Sequence, residues 1–147
     1  MTNFLRITML LLVLVLSINS SCQAKWIEVE KIGGKLPLSY STEIEYVPNS
    51  EQKKVNLWVK VDIDQDDPLS MKMLPGLKSM IMLVCFDFSA QQCALLLNIA
   101  SGANGKIINA TKINSVTFEP YSSFSPVSIP MSNVYRTVYQ LHTENKI

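Results

Sequence analysis

Residues 55–63 read VNLWVKVDI, nine positions in which Val55, Leu57, Val59, Val61 and Ile63 alternate with Asn56, Trp58, Lys60 and Asp62. A β-strand turns successive side chains to opposite faces, so this period of two gathers all five aliphatic residues on one side. A helix would scatter them around its axis. The stretch therefore predicts a half-buried strand, and such a strand needs neighbours that bury the same face.

The flanking sequence supplies those neighbours. Met82, Val84, Phe86 and Phe88 alternate within a strand expected over 79–88, and Cys93, Leu95, Leu97 and Ile99 alternate in the strand after it. A turn over 89–92 pairs Phe88 with Cys93 and puts both apolar rows on one side. Shorter strands are expected at 26–29, at 36–40 paired with 44–47, and at 106–110. Turn signals at Gly33-Gly34, Pro48-Asn49-Ser50, Pro75-Gly76 and 102–105 separate them. Near the end the period changes. Val134, Val138 and Leu141 fall at i, i+4 and i+7 with Tyr135 and Tyr139 beside them, after Pro126 and Pro130 have held the chain extended. Ser132 is placed to cap that helix. A helix of about ten residues is unstable alone and must dock on the sheet. The expected fold class is α+β: a small antiparallel sheet of about six strands with a C-terminal helix packed on it, after an N-terminal signal peptide.

The signal is expected over residues 1–24. Arg6 precedes the apolar run 7–16, which gives way to Ser17, Asn19, Ser20 and Ser21. The apolar run is far shorter than the roughly twenty residues that span a bilayer. Two cuts compete. Cys22 and Ala24 suit general cleavage after Ala24, leaving residues 25–147 as a single domain that starts at Lys25. Retention and acylation of Cys22 would instead give a lipid-anchored protein, with Ser20 and Ser21 fitting that pattern and Asn19 departing from it. Loss of residues 1–24 removes one basic residue of 13, leaving 12 against 12 acidic residues. A net charge near zero supplies no long-range attraction for nucleic acid or anionic lipid.

With Cys22 removed, Cys85 and Cys93 remain, and an even pair in an exported chain points to a disulfide. Strand alternation points the other way, because it sets Cys93 with Leu95 and Leu97 and turns Cys85 to the opposite face. A shorter turn would shift the register and bring the thiols together.

WIEV at 26–29, Tyr40, Ile44, VNLWV at 55–59, Lys78-Ser79-Met80, FDFSAQQCALLLNIA at 86–100, GKII at 105–108 and Pro130-Met131-Ser132 before the helix together carry a family likeness. In these stretches the sequence resembles the surface-adhesin protein E-like family of bacterial envelope proteins. The resemblance implies an exported, envelope-located antiparallel sheet with a C-terminal helix. It also implies adhesin-like contact with a protein ligand, such as a host matrix or serum protein, because the family includes an adhesin of that kind. An alternative is a periplasmic binding or inhibitor module of unknown ligand. The family's helix usually ends in a cysteine tied to the sheet. Here it ends in Leu141-His142, so packing alone must hold it.

Chemistry-bearing constellations are sparse. His142, the only histidine, sits near the C-terminus and reads as a solvated tail residue. No nucleophile–base pair, zinc-ligand set or glycine-rich phosphate loop is recognisable, so no enzymatic activity, cofactor or metal is expected. The acidic run 62–67 lacks the glycine and terminal glutamate of a calcium loop and reads as a solvated strand end. Asn109-Ala110-Thr111 has the form of a glycosylation sequon. Trp58 and Lys60 share the face turned away from the aliphatic row, with burial of Trp58 under the helix or a loop as the commoner role. Tyr121, Phe124, Pro126 and Pro130 are expected to cover a sheet edge, and Met71, Met73, Met80 and Met82 to fill the core or a loop. No individual residue is marked as adhesive.

Overall fold

The computed structural model describes residues 25–33, 35–50, 53–63, 75–144 and 146. The signal segment with Cys22 and Ala24, the acidic positions 64–67, and Met71 and Met73 lie outside the described residues. The strands are β1 (Trp26–Ile32), β2 (Leu36–Tyr46), β3 (Lys54–Asp62), β4 (Ser79–Asp87), β5 (Gln92–Ser101), β6 (Ile107–Lys112) and the short β7 (Glu119–Pro120). One helix, α1 (Ser132–Thr143), follows.

Every strand from β1 to β6 pairs antiparallel with its neighbour in sequence, giving the spatial order β1-β2-β3-β4-β5-β6, and β7 pairs with the free stretch of β5. Short turns impose this meander. Gly33 (φ +61°) supplies the left-handed residue between β1 and β2, and Asn49 (φ +63°) does so between β2 and β3. The expected pair of strands at 36–40 and 44–47 is one continuous strand, β2, interrupted by a register break between Tyr40 and Ile44. There the Ser41 hydroxyl accepts from the Glu43 N–H at 3.0 Å, so a local bond stands in for the lost ladder positions.

The alternation of β3 decides which side is inside. Val55, Leu57, Val59 and Val61 are essentially without exposure, as are Leu38, Met82, Val84, Phe86 and Cys93 across the neighbouring strands. α1 covers this face with Val134, Tyr135 and Val138, while Leu141 packs partly buried at its rim. Ser132 is the first helical residue rather than the cap. Met131 holds the cap position without a side-chain hydrogen bond and is wholly buried, so apolar packing fixes the start of the helix. Asn133 donates to the Glu30 carboxylate, tying the helix to β1.

Aromatic rings join the helix to the sheet. The Tyr135 ring stacks on Tyr121 at 4.2 Å and meets Phe88 edge-on at 5.9 Å, and Phe86 lies 6.1 Å away. His142 is not a solvated tail residue: its ring stacks on Phe88 at 4.7 Å, with Nδ1 buried. Burial first, then neighbouring thiol and phenol groups, pushes the Tyr135 hydroxyl up to about 12.

The β4–β5 hairpin differs from the sequence expectation in two ways. Its register pairs Phe86, not Phe88, with Cys93, and Asp87 with Gln92. The difference of two residues keeps every side chain on its expected face. The turn is held by the Asp87 carboxylate, which accepts from Ser89 Oγ at 2.7 Å and from the Ala90 N–H at 3.0 Å and pairs with Lys54 at 2.8 Å. Further along, a bulge lets Leu95 oppose Val84 and Leu97 oppose Leu83, leaving Leu96 extra. One extra residue reverses the faces that follow, so Leu97 and Ile99 leave the Cys93 side while Asn98 and Ala100 join it. Cys85 and Cys93 are both buried and free, on opposite faces as alternation requires. Burial pushes the Cys93 thiol up to about 12.

Candidate binding surface

Opposite the helix, strand register assembles two rows of side chains. Trp58 on β3 lies beside Leu83 on β4, Leu97 on β5 and Lys112 on β6. The second row crosses all six strands: Glu28, Ser39, Lys60, Ile81, Ile99 and Ala110. Residues directly opposite in an antiparallel pair share a face and approach closely enough to interact, so each row is a continuous strip. Trp58, Ile81 and Leu83 are half-buried here, in contrast with the wholly buried Leu57, Val59, Met82 and Val84 beside them on β3 and β4, and Leu97 and Ile99 on β5 are half-buried too.

The strip owes its shape to small residues beneath large ones. Ser39 and Ser41 are buried on this face of β2, and Trp26, paired with Ser41, stands at the sheet's edge. Lys60 extends over the Trp26 ring at 5.8 Å from its centroid and also pairs with Asp62 at 2.8 Å. The ammonium thus lies across an aromatic surface at the margin of the apolar strip. At the other end, Lys54 lies over the Phe118 ring at 5.0 Å while bonded to Asp87. Burial pushes the Asp87 carboxyl up, but bonds from Lys54, Ser89 and Ala90 outweigh it and hold it down at about 2. This end of the face is therefore fixed and charged, and the Trp58–Leu83–Leu97 end is apolar and accessible.

Trp58 and Lys60, singled out from sequence, do share the outward face, and Trp58 lies on the side opposite the helix. Ile81, Leu83, Leu97 and Ile99 were not singled out. The signal available was that apolar residues occupy both parities of 79–88 and of 93–100, which a sheet with one wet face does not require. His142, Cys85 and Cys93 are not brought together: the imidazole stacks on Phe88, and the thiols occupy opposite faces. Among the described residues no group of three or more His, Cys, Asp or Glu side chains is arranged to hold a metal ion.

A second concavity lies at the sheet margin. Between β6 and β7 the chain leaves the β5 edge, and a cleft of about 270 Å³ opens there over Leu95 and Phe124, rimmed by Ser115, Thr117 and Glu119. Tyr121 and Phe124 do not serve as an edge cover: Phe124 is buried in the core and Tyr121 stacks on Tyr135 of the helix, while Pro126 adjoins the cleft and leads into Val127 (φ +48°) and Ser128 (φ +65°), both left-handed. No described helix is long and apolar enough to cross a membrane. Comparison with family models, curated proteins and solved structures returns no match.

Proposed function

We propose that this chain is an exported bacterial envelope protein that binds a protein ligand by surface contact, adhesin-like and without catalysis. The observation that carries the reading is the half-buried apolar strip Trp58–Leu83–Leu97 with Ile81 and Ile99, on the side of the sheet opposite α1. Contiguous apolar surface of this kind, margined by lysines, suits a protein contact. The absence of catalysis is supported by the use to which reactive side chains are put. His142 packs on Phe88, and the Cys93 thiol sits at about 12, far from thiolate chemistry at neutral pH.

The test compares exported wild-type protein with a Leu83→Asp/Ile99→Asp variant on immobilised, purified matrix and serum proteins. Retention of the wild type and its loss in the variant, with unchanged circular dichroism, is the expected result. Equal retention of the two overturns the assignment to this face. The periplasmic alternative is favoured by the cleft over Leu95 and Phe124, whose hydroxyl rim and single carboxylate suit a small polar ligand. Release of the protein by osmotic shock, with protection from external protease on intact cells, would select that alternative.

A further inference from the structure

The two edges of the sheet are unlike. β1 carries Glu28, Glu30 and Lys31, has a register break between Glu28 and Glu30, and is tied to α1 through Asn133. Charges, a bulge and a covering element are the devices that stop an edge strand from pairing further. β6 has the opposite character. It ends the sheet, all six of its residues are exposed, and Ile107 and Ile108 are 60% and 43% accessible. Its only charge is Lys112, and its register irregularity falls at the Ile107 end, so the remainder is regular strand.

The direction of the backbone groups follows from one bond. The Ile113 N–H donates to the Leu96 carbonyl at 3.0 Å. Counting back by two turns the N–H and C=O of Thr111 and Asn109 toward β5 and those of Ala110 and Lys112 away from it. β6 therefore presents a short ladder with no strand beside it among the described residues. The charge around it has one sign. From residue 88 to residue 118 the sequence contains no Asp or Glu, and its only charges are Lys106 and Lys112, which bracket β6. A second copy of β6, added antiparallel about a two-fold axis, would set Lys106 of each copy near Lys112 of the other, and like charges opposed across strands destabilise a pair.

We propose that the free side of β6 receives an extended, acidic-ended segment of a partner protein, which adds as a further strand. Its backbone pairs with Ala110 and Lys112, its terminal carboxylates meet Lys106 and Lys112 about 20 Å apart, and β-branched residues between them prolong the Ile99–Ala110 row. The proposal rests on the surface-contact reading only in requiring a protein partner; it concerns the backbone edge at which the outer-face rows end, at Lys112 and Ala110, rather than the centre of that face.

The probes are synthetic peptides of about eight residues alternating Val and Thr: one with Glu at each end, one with Lys at each end, and the Glu-ended peptide N-methylated at alternate positions. The exported protein, ¹⁵N-labelled, is titrated with each. The Glu-ended peptide is expected to shift the amide resonances of 107–112, the N-methylated one to leave them in place, and the Lys-ended one to bind about tenfold more weakly. Ala110→Pro removes an outward N–H at an edge position where proline is tolerated, and is expected to abolish binding without lowering the melting temperature. Should that variant misfold, Lys106→Glu/Lys112→Glu provides the second arm and is expected to prefer the Lys-ended peptide. The proposal is overturned by unchanged 107–112 resonances, by equal binding of the N-methylated peptide, or by a peptide-free dimer with cross-strand contacts between two β6 strands. Leu83→Asp/Ile99→Asp protein that loses matrix binding but still takes the peptide separates this result from that of the outer-face test.

Discussion

Two faces of one sheet are built here from similar residues and meet different ends. Under α1, Leu57, Val59, Val84 and Phe86 have no exposure; along the same strands, Trp58, Ile81 and Leu83 keep part of their surface in water. Hydrophobicity does not separate the two sets. Coverage does: the inner face has a helix whose Val134, Tyr135 and Val138 complete its packing, and among the described residues no helix lies on the outer face, where Trp26 and Phe118 reach only its margins through Lys60 and Lys54. An apolar side chain contributes to stability in proportion to the area it loses to water, so the same residue type acts as core on one side and as contact surface on the other.

The largest effect expected from this contrast is that of Leu57→Ala. Its side chain is fully buried, and its truncation should lower stability by about 2–5 kcal/mol, read as a fall in the urea midpoint at unchanged slope. A loss below about 1 kcal/mol would mean that the inner face is not the core.

Asp87→Asn comes next, because it removes the charge that fixes the end of the outer face. Asp87 has an ordinary value of 3.8 and sits at about 2 in the fold. A depressed carboxyl stabilises the fold above its unfolded value and loses that contribution as the pH falls through its folded value. The stabilisation is thus complete above pH about 4 and disappears toward pH about 2, with a size of about 2 kcal/mol. The variant should be less stable by about that amount at pH 7 and should show a flatter acid limb between those limits when melting is followed against pH.

Ile81→Thr, on the outer face, keeps a β-branched residue in β4 and should cost less than about 1 kcal/mol. A cost like that of Leu57→Ala would show that something seals this face as firmly as α1 seals the other. The smallest effect concerns the thiols. Both are free and buried, so reductant should leave the melting temperature unchanged, and the folded protein should react with a thiol reagent only as fast as it opens. A Cys85–Cys93 bridge found by non-reducing mass spectrometry would overturn this.

The sheet, its antiparallel sense and the terminal helix were legible because each rests on a long periodic signal: Val55 to Ile63 at period two, and Val134, Val138 and Leu141 at the helical spacing. The inner row was legible for the same reason as far as Leu95. It failed at Leu97 and Ile99 because a bulge depends on the partner strand: nothing local in LLLN marks Leu96 as the extra residue. The hairpin register was missed by two residues because the Asp87 carboxylate closes the turn on Ser89 and Ala90, which no apolar period marks. His142 was misread from its position in the chain. Its packing depends on Phe88, more than fifty residues away, and no local pattern encodes that. The outer strip was half legible, Trp58 and Lys60 from alternation alone, and the open β6 edge became visible only once the strand order was known.

The meander also sets the order in which the molecule can assemble. Every ladder from β1 to β6 joins strands adjacent in sequence, so the loops to be closed run from a few residues to the sixteen between Asp62 and Ser79, and their entropic cost is modest. Topologies rich in such local pairings fold fast. The helix contacts are the exceptions: Asn133 reaches Glu30 across 103 residues, and His142 and Tyr135 reach back to Phe88. A chain emerging from its N-terminus can therefore zip strand upon strand, yet it keeps Leu57, Val84 and Phe86 wet until residues 131–141 arrive. Protection of the inner face waits for residues 131–141, and a chain stalled before Met131 would present that face to whatever holds unfolded polypeptides.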